Sequence, residues 1–113
     1  MKITKLEWRG VQVPLRSGSP WPHGRSKDRY GLLLWIFTDE GFVGVGDASP
    51  VGPSSGDGIS EVASLLHDLA PSALGMSPTL AFDVLSSLAP HTTAGSLVRL
   101  GLDTATVDLL GQQ

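Results

Sequence analysis

The sequence contains no cysteine. That excludes a disulfide framework, a thiol nucleophile and a cysteine-ligated metal, and it removes the usual grounds for expecting secretion or redox work. A cytoplasmic address is the default expectation. Positive charge is sparse and scattered, with 8 Lys and Arg against 11 Asp and Glu, a formal net charge of −3. Because phosphate affinity comes chiefly from clustered basic side chains, no nucleic-acid partner is expected. Long hydrophobic runs are missing as well. The longest, GLLLWIF from Gly31 to Phe37, is far below the roughly 20 apolar residues of a helical membrane span, so no membrane partner is expected. The opening MKITKLEWRG carries lysines but no apolar core, so no signal peptide is read there.

What is present fits one domain of 113 residues, long enough to bury about 60–70% of its unfolded surface. From Ile3 to Leu15 apolar residues alternate, but Leu6 and Trp8 share one parity while Val11, Val13 and Leu15 share the other. A strand with a bulge at Arg9-Gly10 would keep both sets on one face. RYGLLLWIFTD reads as a central strand covered on both faces. TDEGF offers a short hairpin loop with Gly41 in the left-handed conformation, and FVGVGDAS returns antiparallel. After Asp57 the period becomes helical. Ile59, Val62, Leu65, Leu66 and Leu69 form one stripe, ended by Pro71 and Gly75.

SPTLAFDVLSSLAP predicts a second helix capped by Ser77, with Pro78 in the first turn and a buried face of Leu80 or Ala81, Val84, Leu85 and Leu88. A third helix begins at Thr92 or Thr93. Its apolar residues, from Leu97 to Leu110, circle so wide an arc that neighbours on more than one side are expected. Strands followed by segregated helices give an α+β class: a three-stranded antiparallel meander, then a three-helix bundle.

The glycines of GVGDAS raise the possibility of a phosphate-cradling loop. Such a loop needs G-x-G-x-x-G directly before a helix; here the glycines stay in strand alternation and lead into the loop SPVGPSSGDG. Of the three histidines, His67 and His91 read as boundary or surface residues, and no pair has metal-ligand spacing. Glu61 and Asp68 are most simply a solvated helix face, and Asp57 a helix-start residue. Asp103 and Asp108 stand on the apolar last helix, where they are either boundary residues or partners for another domain. The segment RSGSPWPHGRSKD, Arg16 to Asp28, is too long for a tight hairpin. Its Trp21, His23 and Arg25 suit a loop that closes over a small anionic or aromatic ligand. Nothing supplies a nucleophile–base–orienter set.

GLLLWIFTDEGFVGVGDASP, followed by helices and ending in GLDTATVDLLGQQ, resembles the N-terminal capping domain of the enolase superfamily, in its muconate-lactonizing and mandelate-racemase branches. Thr38, Asp39, Gly41, Gly44, Gly46 and Ala48 match the family's T-D-x-G-x-x-G-x-G-E-A pattern. Ala105, Asp108, Leu109 and Gly111 match its A-x-x-D-L-x-G-K. Asp47 stands where the family often has Glu, and Gln112 where Lys is common. Among subgroups the chain is most similar to o-succinylbenzoate synthases, with muconate cycloisomerases, racemases and dipeptide epimerases close behind.

The resemblance implies a division of labour. A TIM-type barrel of about 250 residues, absent from these 113, holds Mg²⁺ on carboxylates and carries the acid/base residues that abstract a proton next to a substrate carboxylate. Residues 1–113 are then the cap, which binds no cofactor itself, does not carry the catalytic groups and is inactive alone. Its partners are its own C-terminal barrel, a small carboxylate substrate and, as a homo-oligomer, other copies. Two loops would meet the substrate. Trp21, His23 and Arg25 in the first would make polar and stacking contacts; Pro50 and Val51 in the second would form an apolar wall. A free-standing dimerising module is the alternative.

Overall fold

The computed structural model describes residues 1–14, 28–49 and 56–113. Three antiparallel strands, β1 (Ile3–Pro14), β2 (Asp28–Thr38) and β3 (Val43–Asp47), form a sheet of order β1-β2-β3. Helices α1 (Gly56–Leu69), α2 (Pro78–Leu88) and α3 (Thr93–Gly111) follow, with a 3-10 turn at Ala70–Ala73 between the first two. The α+β meander-then-helices architecture is the one the sequence pattern predicts.

β2 is central, and its period-2 alternation decides which side is core. Leu32, Leu34 and Ile36 are fully buried beneath the helices, where they meet Val62 and Leu66 of α1, Leu85 of α2, and Val98, Leu102 and Leu109 of α3 in one cluster. Leu33, Trp35 and Phe37 point the other way and are only half-buried. The expectation of cover on both faces of β2 is therefore met on one face alone among the described residues.

The β2–β3 hairpin closes as its residues dictate. Gly41 adopts φ 84°, the Thr38 amide donates to the Phe42 carbonyl at 3.1 Å, and the Thr38 hydroxyl donates to the same oxygen at 2.9 Å. Ser77 caps α2 by accepting from the Leu80 amide, with Pro78 in the first turn. Thr92 caps α3 by accepting from the Gly95 amide.

Three expectations change. The β1–β2 ladder runs unbroken from Lys5↔Phe37 to Pro14↔Asp28, and its register shift lies between Ile3 and Lys5 rather than at Arg9-Gly10. The cause is visible at Ile3: its amide donates to the Met76 carbonyl and its carbonyl accepts from the Gly75 amide, so its backbone groups serve the helical layer. Leu6, Trp8 and Gly10 consequently share the helix-facing side. Val11 falls on the other side, and Ile59 of α1 fills the space above Gly10, 3.3 Å from where a β-carbon would lie. In α2 the buried set is Pro78, Ala81 and Leu85, while Leu80 and Leu88 are more than half exposed.

Candidate functional site

Antiparallel registers place the ends of the strands. Pro14 pairs with Asp28, Leu33 pairs with Asp47, and the Ala48 amide donates to the Leu32 carbonyl. The C-terminal ends of β1 and β3 and the start of β2 therefore share one end of the sheet. The described residues that border the two segments expected to contact a ligand, Ser17 to Lys27 and Ser49 to Gly56, lie there: Pro14 and Asp28 beside the first and Ser49 at the start of the second. Trp21, His23, Arg25, Pro50 and Val51 themselves lie outside the described residues.

The β3 exit is shaped by short polar side chains. The Asp47 carboxylate accepts from the Ser49 amide at 2.8 Å, an Asx-type turn, and the Ser49 hydroxyl accepts from the Leu32 amide at 3.0 Å. Asp47 thus supplies a local turn at the position where the longer glutamate is common.

The glycines in GVGDAS have a packing role. A β-carbon at Gly46 would stand 2.9 Å from the Ala105 nitrogen and closer still to the Gly101 carbonyl oxygen. One at Gly44 would collide with the Ala105 carbonyl and the Leu109 side chain, and one at Gly101 would reach the Ala48 methyl at 2.9 Å. The pattern lets helix α3 lie directly against strand β3. No helix begins at these glycines.

A second device fixes the same pair of elements. On β3 the odd-numbered residues turn their backbone groups away from β2, toward the open edge of the sheet. Three side chains of α3, spaced by four residues, meet them. Thr104 accepts from the Asp47 amide at 3.2 Å, Asp108 accepts from the Val45 amide at 2.9 Å, and the Gln112 amide donates to the Val43 carbonyl at 2.8 Å. The exposed strand edge, otherwise a template for association, is closed by its own helix. Asp103 and Asp108, read as boundary residues or partners for another domain, are both solvent-exposed, and Asp108 bonds within its own chain to the Val45 amide.

His67 and His91 are exposed, as are Glu61 and Asp68 on α1. Asp57 lies in the first turn of α1. Among the described residues no group of three or more His, Asp or Glu side chains is gathered to hold a metal ion. No helix among them is long and apolar enough to cross a membrane.

Sequence reasoning missed the roles of Thr104, Gln112 and Arg99. The first two were signalled by i, i+4, i+8 spacing with Asp108 on one helical face. The guanidinium of Arg99 donates to the carbonyls of Ser86, Ala89 and Pro90, closing the end of α2. No local pattern announces that contact.

Residues 15–113 match the family model of the mandelate racemase/muconate lactonizing enzyme N-terminal domain. The chain is 25% identical over 115 residues to an N-succinyl-L-Arg/Lys racemase of Bacillus cereus, covering 100% of this chain and 31% of that protein. It is 28% identical over 105 residues to a chloromuconate cycloisomerase of Cupriavidus pinatubonensis, covering 90% and 28% respectively. Among solved structures, an enolase-superfamily member from Polaromonas sp. JS666 superposes with a TM-score of 0.77 at 27% identity, over 99% of this chain and 30% of that one. A mandelate racemase/muconate lactonizing-type protein from Roseovarius nubinhibens, solved with magnesium, does so with a TM-score of 0.73 at 27% identity, over 99% and 29%. The chain thus spans less than a third of the length of the curated relatives it matches. With the two glycine-bearing and aspartate-bearing motifs locked together across the β3–α3 contact, the chain belongs to the mandelate racemase/muconate lactonizing N-terminal domain family of the enolase superfamily.

Proposed function

We propose that this chain is the substrate-specificity lid of an enolase-superfamily enzyme that abstracts a proton next to a carboxylate, the bond-making groups residing in a barrel outside these 113 residues. One observation supports the reading: Pro14 and Asp28, which flank the first segment, and the end of β3 leading to Ser49, which precedes the second, lie at the same end of the sheet. A two-layer base with two substrate-contacting segments leaving from one end is what a lid requires. Trp21, His23 and Arg25 would contact the substrate, Arg25 through its carboxylate and Trp21 by stacking, and Pro50 and Val51 would wall off water. The two curated relatives act on N-succinyl amino acids and chloromuconate by name, and both substrate types carry a carboxylate.

The particular reaction proposed is an o-succinylbenzoate synthase-like dehydration; cycloisomerisation, racemisation and dipeptide epimerisation are the alternatives. Magnesium, present in the Roseovarius structure, finds no donor set among the described residues. No step here is routed through it, and the barrel is its proposed holder.

The test has two arms. The 113-residue chain, assayed with Mg²⁺ and a panel of carboxylate substrates, should show no turnover; turnover would place the chemistry in this chain and overturn the lid. Joined at Gln113 to the barrel of the chloromuconate relative, it should turn over. In that hybrid, Trp21→Ala and Arg25→Ala should raise KM at least about tenfold with kcat nearly unchanged, since they remove binding made equally in ground and transition states. An unchanged KM would remove these residues from the site.

A second reading, a free-standing dimerising module, is favoured by one feature. Leu100, Val107 and Leu110 of α3 are 48%, 61% and 49% exposed and lie on one stripe. The gene sequence after the Gln113 codon separates the two. Alternating strands and helices with spaced acidic residues support the lid, and a stop codon supports the module.

A further inference from the structure

β3 has its outer edge closed by α3, but β1, the opposite edge strand, has no such cover among the described residues. In β2 the even-numbered residues bond to β3, as the Ala48-to-Leu32 hydrogen bond shows. The odd ones, Leu33, Trp35 and Phe37, therefore bond to Arg9, Glu7 and Lys5 of β1. By alternation the backbone N–H and C=O groups of Leu6, Trp8 and Gly10 point to the open edge. An open groove of about 510 Å³ lined by Leu6, Glu7, Trp8, Arg9, Trp35 and Phe37 lies beside it, over the face of β1 and β2 turned away from the helices.

We propose that β1 pairs antiparallel with β1 of a second copy about a two-fold axis through Trp8, joining two sheets into one. The proposal is independent of the lid reading. Charge, together with the register shift at Ile3, selects both the occupant and the register. With the axis at Trp8, Leu6 faces Gly10 of the other copy through backbone hydrogen bonds, and Glu7 faces Arg9 in a close, non-hydrogen-bonded pair, twice over by symmetry. An axis at Glu7 sets Glu7 against Glu7 and Lys5 against Arg9; an axis at Arg9 sets Arg9 against itself. Both oppose like charges, which destabilises the pair; an axis at Leu6 would set Lys5 against Glu7, but it carries Trp8 and Arg9 onto Thr4 and Ile3, where the register shift and the bonds of Ile3 to Gly75 and Met76 interrupt the regular edge. Glu7 now pairs with Lys5 on its own strand, whereas no ion pair involves Arg9 among the described residues, so the guanidinium is available. The three central pairs give about six backbone hydrogen bonds.

The experiment is sedimentation equilibrium of the 113-residue chain over a concentration series, with circular dichroism as a check on folding. A monomer–dimer equilibrium is expected. Glu7→Arg and Arg9→Glu, each alone, should raise the dissociation constant about tenfold or more, because each replaces two attractive contacts with repulsive ones. The double variant, with charges exchanged, should return to within about threefold of the parent. Only a symmetric Glu7–Arg9 contact gives that reversal. As a geometric check, Trp8→Cys introduces the sole thiol of the chain; opposed residues at the axis lie about 5.5 Å apart at Cα, within disulfide reach, so oxidation should give a covalent dimer. A chain monomeric at every concentration would overturn the proposal. So would a dimer indifferent to the charge exchanges, such as one that instead dissociates on Val107→Lys.

Discussion

Gly46→Ala puts the β3–α3 contact to a test of sign as well as size. Gly46 has no positive φ, so alanine can adopt its backbone conformation. Were the space open, the change would stabilise by about 0.4–1 kcal/mol through the unfolded chain. The space is not open. The new β-carbon would meet the Gly101 carbonyl and the Ala105 nitrogen, backbone atoms of a continuous helix with no rotamer to escape into. Restoring a carbon–oxygen separation of about 3.3 Å requires the helix to retreat by roughly 1 Å. That retreat carries the Thr104–Asp47 and Asp108–Val45 hydrogen bonds, at 3.2 and 2.9 Å, past a usable length. Overpacking costs about 1–3 kcal/mol, and each lost backbone pairing about 0.5–1 kcal/mol where water can partly replace it. The expected destabilisation is about 2–5 kcal/mol, a large share of the roughly 5–15 kcal/mol that holds a small domain folded. Urea unfolding followed by tryptophan fluorescence and far-ultraviolet circular dichroism measures it. Gly111→Ala, where nothing lies within 4 Å, is the neutral control. A Gly46→Ala protein as stable as the parent would refute close approach as the reason for the glycine, and would reopen a ligand role for GVGDAS.

Asp108→Ala should cost about 1 kcal/mol and speed hydrogen exchange at the Val45 amide, while Asp108→Asn, which keeps an acceptor, should retain part of the protection. Arg99→Ala should cost about 2 kcal/mol in urea unfolding, with Arg99→Lys recovering less than half, since one ammonium cannot reproduce a planar fork across three carbonyls. The Met1 amino group, 2.6 Å from the Glu40 carboxylate, is held above its ordinary pKa chiefly by that hydrogen-bonded ion pair. Its contribution is fully present below the unfolded value of about 8 and is lost as pH rises through the folded value. Urea midpoints of parent and Glu40→Gln, compared from pH 7 to pH 10, should converge at the alkaline end; a constant difference would refute the linkage.

The sequence made legible those features whose cause is local. Ser77-Pro78 announces the start of α2, Gly41 the hairpin and the continuous apolar run Gly31–Phe37 the central strand, because caps, turns and apolar runs act within a few residues. What was misplaced is set by distant partners. Ile3 bulges because Gly75 and Met76 take its backbone groups. Leu88 is exposed, and of the alternatives Leu80 and Ala81 it is Ala81 that is buried, because helix packing, not hydrophobicity alone, decides which shoulder of the stripe faces inward. The Thr104–Asp108–Gln112 series is a pattern in the helix whose meaning resides in a strand more than fifty residues earlier. For the candidate site, sequence and strand register together locate the anchors of both segments, while Trp21, His23, Arg25, Pro50 and Val51 rest on composition and resemblance.

The two motifs that carry the family likeness turn out to be one structural device seen from its two sides. Gly44 and Gly46 bring β3 within reach of α3, and Asp108 and its neighbours bind the strand edge that the close approach exposes. Neither half is useful alone: without the glycines the carboxylate cannot reach the Val45 amide, and without the carboxylate a bare edge strand is left beside a helix. Gln112, where lysine is common, fits the same logic, since the Val43 carbonyl asks only for a donor. Locked this way, the described ends of β1, β2 and β3 keep a fixed register. On the proposed lid reading, selectivity would be set in the two segments and stability in the β3–α3 lock, a separation of site from scaffold.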